Sequence, residues 1–195
     1  MAPFIVETGA IVPGANSYAT VQQADDQLSQ NIHVWPTWNA LTRQQKQQLL
    51  MWSTRLLDSR AIWNGITTTE WKARHNGINL VDTWAVPADD SFLPDQPLRW
   101  PRAEVRDMDN RRIPNDEIPA QLIEATIEMA RYLVAQDRTL ERPQDGLSEI
   151  KADVVTIRFK PDYYLPVIPS DISYIIRGLG SIASGQVSFS KIRRA

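Results

Sequence analysis

The 195-residue sequence contains no cysteine, which excludes disulfide frameworks, thiolate metal sites and cysteine nucleophiles. Histidine is scarce. His33 and His75 are the two present, and neither has a histidine or carboxylate three or four positions on along a predicted helix, so both read as exposed loop side chains rather than ligands or general bases. No apolar run approaches the roughly 20 residues that cross a bilayer. The opening MAPFIVETGA lacks the basic start and long apolar core of a secretion signal, so membrane insertion is not expected. Acids are missing from the C-terminal end: beyond Asp171 there is no Asp or Glu, while Arg177, Lys191, Arg193 and Arg194 remain. A net charge of −2 and an isoelectric point near 5.7 exclude a globally basic nucleic-acid coat and leave room for a local basic patch.

What is present is an ordinary globular composition, 43% hydrophobic and 23% charged, long enough for one domain with a real core. Tryptophan is abundant, with seven copies that suggest packing or interface work. Phe4-Ile5-Val6 reads as a short strand before a turn-rich stretch through Ser17. Thr20 is a candidate cap for a helix over 21–29, with Val21, Ala24 and Leu28 on one face. Trp35, Pro36 and Trp38 break that helix. Thr42 and Gln45 form a capping-box pattern opening a helix that runs to about Trp63, with a stripe of Leu49, Trp52, Leu56 and Trp63 and a stop at Asn64-Gly65. Residues 66–97 have no sustained period and read as a long loop with one helical turn at 69–74. Ile118, Leu122, Ala125, Met129 and Leu133 give the clearest helix, ending near Asp137. Residues 150–159 read as a strand. Ser170 or Asp171 caps a short helix through Arg177, and Gly178 and Gly180 stop it before a flexible tail.

The fold class expected is therefore mainly α: a bundle of about three main helices plus a short C-terminal helix, a small β element and extended N- and C-terminal arms. The expected organisation is a single domain over 1–180, with 66–97 as a long inserted loop, and a basic arm over 181–195.

Tests for catalytic and ligand motifs fail. The run from Asp107 to Arg112 opens like a calcium loop, but Arg111 and Arg112 fall where a ligand and a glycine belong, so a β-turn is expected. Gly178-Leu-Gly180-Ser-Ile-Ala183 fits a dinucleotide-loop pattern with too little chain after it for a βαβ unit. Asp25 and Asp26 are adjacent on a helix and point apart, and Asp89 and Asp90 lie in the loop. No catalytic, metal or cofactor-binding residue is expected, and the chain does not read as an enzyme. Arg99, Arg102, Arg106, Arg111 and Arg112 cluster, interleaved with Glu104, Asp107 and Asp109. Trp52 and Trp63 lie on a helical stripe and read as core, whereas Trp35, Trp38, Trp71 and Trp84 fall in predicted loops and read as subunit or tail interface. Single-stranded DNA binding calls for aromatics interleaved with cations. Only Lys72 and Arg74 beside Trp71, and Arg99 and Arg102 beside Trp100, have that form. The alternation of Val187, Phe189 and Ile192 with Lys191, Arg193 and Arg194 suits a segment that adds as a strand to another chain.

Several motifs in order carry a resemblance. Ile5-Val6-Glu7, the run from Pro13 to Ala19, Ala24-Asp25, Leu56, Asp58, Trp63-Asn64-Gly65, Leu98, Trp100-Pro101-Arg102, Ile118-Pro119, Ala125, Glu128 and Ala130 resemble the signature of tailed-phage head–tail connector proteins, also termed adaptor or head-completion proteins. Some members carry the label DnaT-like single-stranded-DNA-binding protein. The resemblance implies a structural virion protein at the head–tail junction, assembled in the host cytoplasm. It implies a homo-oligomeric ring, typically of twelve copies, bound to the portal protein above and a tail or nozzle protein below. Genomic double-stranded DNA would pass through its channel without tight binding. It implies no catalytic residue, no cofactor and no membrane, and it makes Val187, Phe189, Lys191, Ile192, Arg193 and Arg194 a portal-binding arm. The stretch 66–97 is longer than the family's usual link and reads as an insertion. The alternative is a single-stranded-DNA-binding replication protein.

Overall fold

Residues 3–75, 96–140, 149–152, 155–158 and 166–182 are described by the structure, a computed structural model. The portal-arm residues 187–194, Trp84 and the pair Asp89-Asp90 lie outside the described residues. The architecture is mainly α. Helices α1 (Val21–Leu28), α2 (Trp35–Asn39), α3 (Arg43–Arg60), α4 (Thr68–His75), α5 (Ala120–Ala135) and α6 (Ser170–Ile175) are joined by short strands β1 (Ala61–Trp63), β2 (Ile66–Thr67), β3 (Arg102–Ala103), β4 (Glu149–Ala152), β5 (Val155–Arg158) and β6 (Gly180–Ile182).

The expected capping box opens α3, and the expected cap Thr20 makes a second one at α1. Gln23 N donates to Thr20 Oγ1 at 3.1 Å while Thr20 N donates to Gln23 Oε1 at 2.8 Å, and Thr42 and Gln45 make the same exchange at 3.3 and 2.9 Å. α5 is the central helix. Its Leu122, Ala125, Met129 and Leu133 enter a core with Tyr18, Leu57, Trp100, Ile172 and Ile176. Its Ile127 and Ala130 enter a second core with Ala19, Ala24, Leu28, Trp38 and Leu50. α3 packs along α5 and feeds both clusters, and α6 closes the other side.

Three antiparallel two-stranded ribbons tie the loops down. β1 pairs with β6 (Ile62 opposite Ser181), β2 pairs with β3, and β4 pairs with β5. Gly180 is required by the first of these, because a Cβ there would stand 2.5 Å from the Ile62 carbonyl oxygen. Gly65, at φ +67°, makes the sharp exit from β1, and its missing Cβ lets the Ala103 carbonyl approach.

Several sequence expectations are corrected. Trp35-Pro36-Thr37-Trp38 does not break the chain into coil. It forms α2, because Pro36 sits in the first turn, where its absent N–H costs nothing. α3 stops at Arg60, and Trp63 lies on β1 rather than on the helix. The tail after Gly178 does not leave at once, since Gly180–Ile182 pairs with β1. The described residues of the stretch expected as one strand form two paired strands, β4 and β5. Pro119 and Pro169 occupy the positions before α5 and α6, so neither Ser170 nor Asp171 caps α6. Phe4 to Val6 makes only the bridge Val6 to Ser17 rather than a strand. Within 66–97, the described part contains β2 and α4 instead of a single helical turn.

One ionic contact fastens α1, α2 and α3. Lys46, 7% exposed, places its Nζ 2.8 Å from Asp25 Oδ1, and Trp38 Nε1 donates to the same oxygen at 2.7 Å. The ammonium also stands 5.5 Å from the Trp38 ring centre and 5.9 Å from that of Trp35. Asp25 thus faces inward while Asp26 faces solvent. Replacing Asp25 with Ala strands a buried ammonium and an indole N–H together, and is expected to cost about 2–4 kcal/mol in urea unfolding. Lys46→Met keeps the apolar stem and leaves Asp25 partly solvated and still bonded to Trp38, so its loss is expected to be smaller, about 1 kcal/mol.

Candidate nucleic-acid interface

Tyr18, Asp58, Trp63 and Trp100 of the motifs converge on one buried knot. Tyr18 follows the N-terminal turn, which Glu7 holds by accepting from Gly9 N at 2.9 Å, Ile11 N at 3.0 Å and Val12 N at 2.9 Å. The Tyr18 hydroxyl donates to Asp58 on α3, at 2.7 Å to Oδ1 and 2.9 Å to Oδ2, and accepts from Trp100 N at 3.2 Å. Asp58 Oδ2 also accepts from Arg99 N at 3.1 Å. The Trp100 ring is fully buried and meets Trp63 edge-on, with centres 6.0 Å apart. Asn64 reaches the other end of the chain, its Nδ2 donating to Gly178 O at 2.8 Å. The signature residues are therefore the joinery of the fold.

Burial, followed by the Asp58 charge, pushes the Tyr18 phenol well above its ordinary range. Burial also raises the Asp58 carboxyl, opposed by the bonds from Arg99 N and the Tyr18 hydroxyl. Asp58 enters no ion pair among the described residues.

The knot presents basic side chains outward. Arg99 is exposed, and Arg102 is half-buried beside it. Arg106 bonds the Asn110 carbonyl at 2.7 Å, and Arg111 pairs with Asp109 and Asp107. Asp107 Oδ1 accepts from Asp109 N and Arg111 N, which makes 107–112 the expected turn. Arg74 on α4 pairs with Glu70, and Lys72 is exposed beside half-buried Trp71.

The tryptophans are sorted differently from the sequence expectation. Trp38, expected at an interface, is 0% exposed and held by Asp25, so it belongs to the core. Trp35 is half-buried against the second core. Trp100 cannot act as a stacking platform because it too is buried. Trp52, expected in the core, is 41% exposed. The buried face of α3 is Lys46, Leu50, Ser53, Thr54, Leu56 and Leu57, so Trp52 turns to solvent with Gln48, Arg55 and Ser59, each three or four positions along. The signal was readable: those neighbours are all polar. The spacing from Leu49 to Leu56 hid it.

Among the described residues no group of three or more His, Asp or Glu is placed to hold a metal ion, and no helix is long and apolar enough to cross a membrane. His33 is exposed.

The chain matches one family model over residues 2–90 and again over 90–195, which together span nearly its whole length. The family is described as "Putative DnaT-like ssDNA binding protein". No curated protein and no solved structure matches the chain. The chain belongs to that family. The description accords with the single-stranded-DNA alternative and carries no mention of a head–tail connector.

Tyr18→Phe removes a hydroxyl that satisfies both Asp58 and Trp100 N–H, and is expected to cost about 2–4 kcal/mol in urea unfolding. The pH dependence has a definite sign. A carboxyl with a raised folded-state pKa holds its proton more tightly in the fold. Its contribution is therefore fully favourable at low pH and is lost as pH rises through the window above the usual carboxylate range. The stability of the parent chain relative to Asp58→Asn is expected to increase as pH is lowered through that window, measured by chemical unfolding at successive pH values.

Proposed function

Starting from membership of that family, we propose that the chain acts by binding rather than by catalysis, and that its ligand is single-stranded DNA. The observation that carries this reading is the outward face of α3, where exposed Trp52 stands three positions before exposed Arg55 and between Gln48 and Ser59. A base stacks on an indole whatever its identity, and a guanidinium one helical turn away meets the adjoining phosphate. None of the ion pairs among the described residues uses Arg55. With a net charge of −2 the whole protein does not attract DNA, so affinity must come from such a local site and must be sensitive to salt.

A second reading is favoured by a different surface. Exposed Ile62 (63%), Met108 (60%) and Tyr174 (72%) gather around the turn at Gly178. Ile62 lies opposite Ser181, Met108 N is 3.3 Å from where a Gly178 Cβ would stand, and the Tyr174 carbonyl accepts from Arg177 N. An apolar group of this kind is what a subunit interface uses. It supports the ring adaptor between portal and tail, self-assembled and non-enzymatic, that the sequence resemblance implies. The adaptor would join a portal ring and be indifferent to oligonucleotides.

Fluorescence anisotropy with a labelled oligothymidylate separates the two. The DNA reading expects saturable, salt-sensitive binding that Trp52→Ala weakens about tenfold, within the range for loss of one base–aromatic stack. Absence of binding at low salt contradicts it.

A further inference from the structure

Arg99 and Arg102 stand side by side on the Trp100-Pro101 turn in an arrangement that ordinary surface packing does not explain. Arg102 is pinned by three backbone carbonyls: Nε donates to Asn64 O at 2.7 Å, Nη2 to Gly65 O at 2.5 Å and Nη1 to Arg99 O at 3.2 Å. All three acceptors are neutral, so the bonds fix the guanidinium without cancelling its charge. Arg99 is anchored through its backbone N–H on Asp58, and its side chain is exposed. Neither arginine forms an ion pair among the described residues.

The nearby acids are otherwise engaged. Asp58 receives the Tyr18 hydroxyl and Arg99 N, and Glu70 pairs with Arg74. Burial first, and then the Arg99 charge, pull the Arg102 guanidinium below its ordinary value. Two like charges are thus held together by the fold, and an anion placed between them offsets their repulsion. A guanidinium carries five N–H donors in a planar fork suited to phosphate oxygens. Arg102 uses three of its nitrogens on carbonyls and retains further donors on Nη1 and Nη2.

We propose that Arg99 and Arg102 form a phosphodiester-binding pair that grips the backbone of a DNA strand. This rests on the single-stranded-DNA reading and extends it. Asp58, to which Arg99 N is bonded, lies three positions beyond Arg55 on α3, which ties the Arg99 backbone to the helix that carries Trp52. The strand runs from the Trp52 stack past Arg55 to Arg99 and Arg102. Its phosphates, rather than its base edges, are read there, and the contact is independent of sequence.

The test is the salt dependence of oligothymidylate binding for the parent chain, Arg99→Gln and Arg99→Lys. The Arg99 side chain bonds nothing among the described residues, so Arg99→Gln should unfold at the parent's urea midpoint, measured alongside. Arg99→Gln is expected to reduce the magnitude of the log–log salt slope by about 0.7, the value of one lost phosphate contact on a single strand, and to weaken low-salt binding several-fold. Arg99→Lys should keep most of the slope, and Trp52→Ala should weaken binding with the slope unchanged. A parent that binds with a slope unaltered in Arg99→Gln overturns the pair and leaves the DNA reading standing. A parent that binds no oligonucleotide overturns both. Thermal protection by millimolar inorganic phosphate that Arg99→Gln abolishes, with no change in oligonucleotide slope, identifies a free-phosphate site and also overturns the proposal.

Discussion

The Tyr18 hydroxyl is the contact on which the arrangement of the chain depends. A single oxygen donates to Asp58 and accepts from Trp100 N, and so joins the N-terminal segment, α3 and the Trp100-Pro101 turn. Each of these carries something else. The N-terminal turn is closed on the Glu7 carboxylate, and α3 carries both cores on one face and Trp52 on the other. The Trp100-Pro101 turn delivers Arg99 and Arg102 to the surface. A buried phenol next to a buried carboxylate is costly unless both are satisfied, and here each satisfies the other while the backbone N–H groups of Arg99 and Trp100 complete the set.

The buried Lys46–Asp25 pair follows the same rule. Lys46 enters the interior because Asp25 meets its charge and its ammonium faces the Trp35 and Trp38 rings. This division of labour explains how a chain so rich in tryptophan can present few of them to a partner. Trp38 and Trp100 are spent on the core, Trp63 meets Trp100 edge-on, and Trp52 is the exposed large aromatic on α3. The arginines divide in parallel. Arg111, Arg131 and Arg74 are ion-paired, whereas Arg99 and Arg102 enter no ion pair among the described residues.

The starts of α1 and α3 were legible because they are local chemistry: Thr20 and Thr42 satisfy the first free N–H groups within four residues. The period of α5 was legible for the same reason, since both of its apolar faces are buried. What escaped the sequence was set by partners far along the chain. β6 exists because Gly180 permits close approach to Ile62, more than a hundred residues earlier, and no local signal marks that meeting. Trp52 was assigned to the wrong face because the stripe from Leu49 to Leu56 is compatible with two orientations of α3, and the packing of Leu50 and Leu57 on α5 and its neighbours chooses between them. Arg99 and Arg102 were visible as residues beside a tryptophan, but that tryptophan is buried in the core, which nothing local in the sequence marks.

Native mass spectrometry of the purified chain with an oligothymidylate, across a series of ammonium acetate concentrations, tests the central claim most directly. The account predicts defined protein–oligonucleotide complexes that are abundant at low salt and disappear as salt rises. Closed rings of the chain, alone or on an added portal ring, with no oligonucleotide retained at any salt concentration, would contradict it and establish the adaptor instead.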